Sequence, residues 1–215
     1  MAGGKSRFAH LDGFFDRPRS IRLLSGLIAR VGARDGGLLG LTASRPGEGV
    51  TTLALYLGRH LHATFGAPVL IVEANFRRPG MARYCGLPAA PGLMQLLEDG
   101  DRALEDCIRP HGAADLSVLP AGGTHPNPLG LVVSDRFVRL LEMARRDYRF
   151  VVCDAAPPPG NAEAGELLKR MDRRILVVRA GSARRDAVRA NLEGLKEQGV
   201  SFDGAVLNRA GVLFG

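Results

Sequence analysis

The stretch SRPGEGVTT, residues 44–52, carries the residue types that hold phosphate. Gly47 and Gly49 let successive backbone N–H groups converge on an anion, and the helical pattern that follows sets this convergence at a helix N-terminus, where the dipole favours negative charge. Thr51 is spaced to offer a hydroxyl to Mg²⁺. Against the full pattern G-x-x-x-x-G-K-[ST], Ser44 stands for the first glycine and Val50 for the lysine. Two carboxylates close apolar runs elsewhere, Glu73 in VEANFRRPG and Asp154 in VVCDAAPPP, and Asn208 in VLNRA is of a type that hydrogen-bonds a base edge. Each has a plainer use, as a helix-capping acid, a solvated loop acid or a turn asparagine. Their arrival in order at the ends of strands favours a shared site.

The lysines sharpen the question that Val50 raises. Only Lys5, Lys169 and Lys196 occur, so a cation replacing the loop lysine has to be an arginine, with Arg45, Arg77 and Arg78 the nearest candidates. A planar guanidinium does not simply replace a compact ammonium in a tight loop.

The elements that must position these residues alternate. Apolar residues at three- and four-residue steps predict a helix over 18–34, and further helices are expected at 51–66, 91–98, 101–108, from Ser134 or Asp135 to 146, at 162–171 and at 183–198. Apolar runs predict strands at 37–44, 67–74, 115–122, 148–156, 173–181 and 203–210, with GGTHPNPLG as a loop. The alternation implies an α/β fold, a doubly wound and mostly parallel sheet flanked by helices. Ligands in such sheets sit beyond the carboxyl ends of the strands, where Ser44, Glu73 and Asp154 lie.

A chain of 215 residues, 46% hydrophobic, can fill one core, so residues 18–215 are expected to form a single domain preceded by a flexible or docking arm at 1–17. No window reads as a membrane span and the start lacks the apolar core of a signal peptide, which predicts a cytoplasmic protein. Cys85, Cys107 and Cys153 are too widely spaced for a zinc site and are expected to be reduced packing residues. The histidines share no metal-ligand spacing, and no nucleophile elbow supports hydrolase chemistry. A net charge of +7 favours anionic partners without choosing among them.

Over roughly residues 18–209 the sequence resembles the bacterial tyrosine kinases of capsule and exopolysaccharide synthesis, relatives of the MinD/ParA ATPases in the P-loop class. The resemblance rests on TASRPGEG at the Walker A loop, VLIVEANFRRPG at a second acidic motif, DRFVRLLEMARRDYRFVVCDAAPP at Walker B, and the connecting stretches GLPAAPGLMQLLEDG, LSVLPAGGTHPNP and LVVRAGSARRDAVRANLEGLKEQG. It implies a P-loop NTPase fold, nucleotide contacts from Gly47, Glu48, Gly49, Thr51, Thr52, Asn208 and Arg209, Mg²⁺ at Thr51, Glu73 and Asp154, and vestigial catalytic roles for Glu73 and Asp154. Departures accompany it. The family's paired aspartates of the second motif are Glu73 and Asn75, its loop lysine is Val50, and its Glu-x-x-Arg-x-x-Arg oligomerisation helix reads Arg19, Arg22, Ser25. The tyrosine-rich tail has no counterpart in NRAGVLFG.

With these departures the resemblance implies a pseudokinase that binds ATP or ADP with Mg²⁺ weakly or not at all. Its implied partner is the cytoplasmic tail of a membrane polysaccharide co-polymerase, through which it reaches the inner face of the plasma membrane; neither a family-type ring nor nucleic-acid binding is expected. An active ATPase or tyrosine kinase with surrogate residues is the alternative. A MinD- or ParA-like positioning switch is a third reading, and it lacks its signature lysine.

Overall fold

A computed structural model of the chain describes residues 18–158, 160–181 and 185–209, so the expected arm at 1–17 lies outside the described residues. The apolar runs form β1 (Gly37–Ala43), β2 (Val69–Glu73), β3 (Arg109–His111), β4 (Ala113–Leu119), β5 (Phe150–Asp154), β6 (Arg173–Arg179) and β7 (Gly204–Asn208). They make one sheet in the order β3-β4-β2-β5-β1-β6-β7, parallel throughout except where β3 runs antiparallel to β4. Between them lie α1 (Pro18–Arg30), α2 (Val50–Phe65), α3 (Met81–Cys85), α4 (Leu93–Glu98), α5 (Leu104–Cys107), α6 (Pro128–Val133), α7 (Asp135–Asp147), α8 (Ala162–Lys169) and α9 (Arg185–Glu197).

Strand periodicity divides the core in two. Leu39 and Leu41 of β1, Ile71 of β2 and Val152 of β5 pack on one sheet face with Leu24, Leu27 and Ile28 of α1 and the buried side of α2. Leu38, Leu70, Val72, Val151 and Cys153 point the other way, onto α4, α7 and α8. Each such leucine or valine contributes about 1.5–3 kcal/mol by leaving water, so the central strands and α2 hold the site's frame rigidly. The three cysteines are free and buried, as their spacing predicts. No described helix is long and apolar enough to cross a membrane.

Helix ends follow local chemistry. α1 stops earlier than its apolar pattern suggests, because Gly32 takes a positive φ of 66° and the Ala33 amide reaches back to the Ile28 carbonyl, closing a left-handed cap. Of the two candidate caps for α7, Ser134 is the one used: its Oγ accepts from the Phe137 amide at 3.2 Å. Three short elements escape the pattern. α3 has five residues, and α6 starts at Pro128 inside the stretch expected as loop, capped by the Asn127 side chain on the Gly130 amide at 3.1 Å. β3 carries Pro110, which an edge strand tolerates.

Asp172 ties the sheet's lower rim to α7. Its carboxylate accepts from the Leu38 amide and from Arg145 Nη2, each at 2.8 Å, and pairs with Arg145 Nη1 at 2.8 Å. Burial pushes this carboxyl up, but the Arg145 and Leu38 hydrogen bonds with the Arg145 and Arg173 charges outweigh it and hold the pKa below its ordinary value. Its stabilising contribution is therefore complete above the unfolded-state pKa of about 4 and is lost as pH falls through the lower folded value. Urea unfolding of the parent and Asp172→Asn should show a stability gap that is steady between about pH 5 and 7 and closes as the pH drops below about 4. A gap indifferent to pH would contradict the assignment.

Candidate functional site

The sheet's strand order reverses around β1, and the phosphate-loop residues occupy the carboxyl edge there, between Ala43 and the first turn of α2. Gly47 and Gly49 have φ of 84° and 97°, a region that glycine enters without strain, and Gly49 is the α2 N-cap with no side-chain hydrogen bond to the first turn. The amides of that turn are left for a ligand. A methyl at position 49 would meet Asn208 Nδ2 and displace the side chain that is held against the loop.

Two residues expected to contact nucleotide instead brace this loop. Glu48 is 2% exposed and turned inward: its carboxylate accepts from the Ser44 amide and hydroxyl at 2.9 and 2.8 Å, the Arg45 amide at 3.0 Å and the Arg179 amide at 3.3 Å. Asn208 donates from Nδ2 to the Glu48 carbonyl at 2.7 Å and accepts at Oδ1 from the Arg209 amide at 2.9 Å. The side-chain amide assigned from sequence to a base edge is thus engaged at both ends within the chain.

Glu73 is likewise corrected. Parallel pairing sets it beside Asp154 on neighbouring strands, but its 1%-exposed carboxylate turns under α3, where Oε1 accepts from the amides of Gly80 and Met81 at 2.5 and 2.8 Å and Oε2 from that of Ala121 at 3.1 Å. It does not line the cleft at the loop. The capping use that the sequence left open is the one the backbone makes of it.

Asp154 does reach the cleft, and Thr51 donates its hydroxyl to Asp154 Oδ2 at 2.5 Å. Burial drives the Asp154 pKa up to about 8; the Thr51 hydrogen bond acts against this and the Glu73 charge adds to it. Asn75, at the cleft wall, accepts from the Arg78 amide at 3.2 Å through Oδ1 and carries no charge.

The cleft has a volume of about 300 Å³. It brings together Gly47, Gly49, Thr51, Thr52, Asp154 and Arg209 of the expected residues and leaves out the side chains of Glu48, Glu73 and Asn208. Val50 lines it while packing, 8% exposed, into the core behind. Of the candidate surrogate arginines, Arg45 is on the wall, whereas Arg77 pairs with buried Glu163 at 2.7 Å and Arg78 is off the cleft. Arg83 and Tyr84 also line it, carried by α3, an element too short for its apolar spacing to announce.

The loop's open amides and glycines fit a nucleotide's phosphates. For magnesium the fit is reduced to Thr51 and Asp154, which would hold the ion and let it offset charge on the phosphates. Among the described residues no group of three or more His, Cys, Asp or Glu side chains is placed to hold a metal by itself.

No protein-family model matches the chain. Among curated proteins, a candidate tyrosine-protein kinase, EpsB, of Ralstonia nicotianae is 29% identical over 171 residues, covering 80% of this chain and 22% of EpsB. Tyrosine-protein kinase CpsD of Streptococcus agalactiae is 28% identical over 177 residues, covering 82% of this chain and 75% of CpsD. The chain therefore spans about a fifth of the length of the first of these relatives. Among solved structures, the VpsO kinase domain is 32% identical, with 91% of this chain and 98% of that chain covered at a TM-score of 0.78.

Proposed function

Because this chain belongs to the bacterial tyrosine-kinase family, we propose that it is a catalytically silent member: a kinase-fold protein acting as regulatory or scaffolding partner of a membrane polysaccharide co-polymerase in exopolysaccharide synthesis or export. The observation that carries the reading is Val50, an apolar residue buried at the position where the phosphate loop needs its lysine. Phosphoryl transfer depends almost wholly on positioning and on stabilising charge as it develops, so an interaction missing at the phosphates costs the transition state more than the ground state.

Two further observations support the same reading. Asn75 cannot take a proton from an attacking hydroxyl, and Glu73, the neighbouring acid, is engaged by three backbone amides. On α1, Arg22 keeps the first arginine of the family's ring-forming helix, but exposed Ser25 stands where that helix has its second, and the Ser25 hydroxyl meets the His60 ring at 3.0 Å, which favours a protein outside the family's ring. The co-polymerase partner, and with it a place at the inner face of the plasma membrane, follows from the family resemblance.

Incubation of the purified chain with ATP and Mg²⁺, followed by phosphotyrosine mapping by mass spectrometry, tests the reading. No site should be modified above the level of Asp154→Asn. Phosphotyrosine that disappears in Asp154→Asn would overturn the proposal in favour of an active kinase with surrogate residues.

A further inference from the structure

The cleft carries more positive charge than a phosphate loop without lysine suggests. Three arginines reach its wall from separate segments: Arg45 in the loop, Arg83 on α3 and Arg209 just past β7. All three are exposed, whereas Asp154, the single carboxylate on that wall among the described residues, is 1% exposed and hydrogen-bonded to Thr51. An anion entering from solvent therefore meets the guanidinium groups before the acid, and the α2 N-terminus, through Gly49, Val50, Thr51 and Thr52, lines the same cleft.

Recognition of a base is less well provided. Asn208 supports the loop through the Glu48 carbonyl and fixes the backbone of Arg209, whose φ of 56° is unusual for a residue with a side chain. That places Arg209 at the cleft and holds the Asn208 side chain against the loop, with one N–H donor and one lone pair already used.

We propose that the cleft binds a polyphosphate chain through the loop amides and the Arg45, Arg83 and Arg209 guanidinium groups, in place of a loop lysine, with little selection among bases. The proposal rests on reading this cleft as a kinase-type nucleotide site, but not on its being silent. The shared ligand chemistry is a run of two or three phosphates, supplied by a nucleotide or by inorganic polyphosphate.

Calorimetric titration of the full chain in Mg²⁺ buffer with ADP, GDP and inorganic tripolyphosphate tests it. All three probes should bind, ADP and GDP within about threefold of each other, and affinity should fall as salt rises. Arg83→Ala and Arg209→Ala should each weaken binding about tenfold, with partial recovery in Arg83→Lys, while Arg22→Ala on α1 changes nothing. Circular dichroism of each variant separates lost binding from lost folding. Absence of binding by the folded parent, indifference to both arginine changes, or strong preference for ADP over GDP and tripolyphosphate would each overturn the proposal. Phosphotyrosine formation would instead overturn the silent-kinase reading and leave this one standing.

Discussion

A Val50→Lys variant is expected to bind ADP about tenfold more tightly than the parent while its phosphotransfer stays at background. A charge-assisted hydrogen bond is worth about 1.5–3 kcal/mol, and a cation at a helix N-terminus forfeits about 0.3–1 kcal/mol against the dipole, so the balance favours binding by roughly one power of ten. The same change should weaken the unliganded protein. Val50 is 8% exposed and belongs to the core cluster shared with α1 and α2, so replacing it loses about 1–2 kcal/mol and lowers Tm by a few degrees. Saturating ADP should recover part of that loss, because ligand that binds only the folded chain stabilises it. Opposite signs in the two states distinguish a restored phosphate contact from a merely damaged core. An affinity left unchanged or reduced would mean that position 50 is not where the loop's charge is missing.

Glu73→Ala is expected to be among the most destabilising single changes in this chain, with or without nucleotide. The substitution strips the acceptor from the amides of Gly80, Met81 and Ala121, which join the second motif, α3 and the loop after β4. Each buried donor left unpaired costs about 1–3 kcal/mol, and water entering the vacated space recovers only some of it, so a loss of about 3 kcal/mol or more is expected. For a domain of this size that is a fall in Tm of about 10 °C. Glu73→Gln keeps the volume and one acceptor oxygen and should lose less. A solvent-facing catalytic acid would behave differently, since its removal leaves stability within about 0.5 kcal/mol. Thermal unfolding of both variants therefore distinguishes a cap from a general base, and a Tm unchanged in Glu73→Ala would return Glu73 to the phosphate site.

The central strands were legible because their apolar runs are long and covered on both faces, and α2 because its buried stripe is followed by Gly66 in a left-handed cap. α3, α6 and β3 were not, because five, six and three residues are too few to establish a period. That loss matters for the site, since α3 is what brings Arg83 to the cleft. Asn208 and Glu48 misled for another reason. Their types suit a ligand, but their partners are set by tertiary contact: Asn208 reaches across the β7 edge to the Glu48 carbonyl, and Glu48 reaches Arg179 at the end of β6. Arg77 was drawn away from phosphate in the same manner, by Glu163 on α8. Residue type and strand-end position located the cleft, and the competition among polar partners inside the fold decided which side chains line it.

The rate of phosphate release from saturating ATP in Mg²⁺, measured on the parent beside Asp154→Asn, tests for a kinase fold without phosphotransfer. The two rates should coincide at background, because Val50 replaces the loop lysine, Asn75 cannot take a proton from an attacking oxygen and Glu73 is held by backbone amides. A parent rate tenfold or more above Asp154→Asn would instead identify an active enzyme whose arginines have taken over catalysis from the missing lysine.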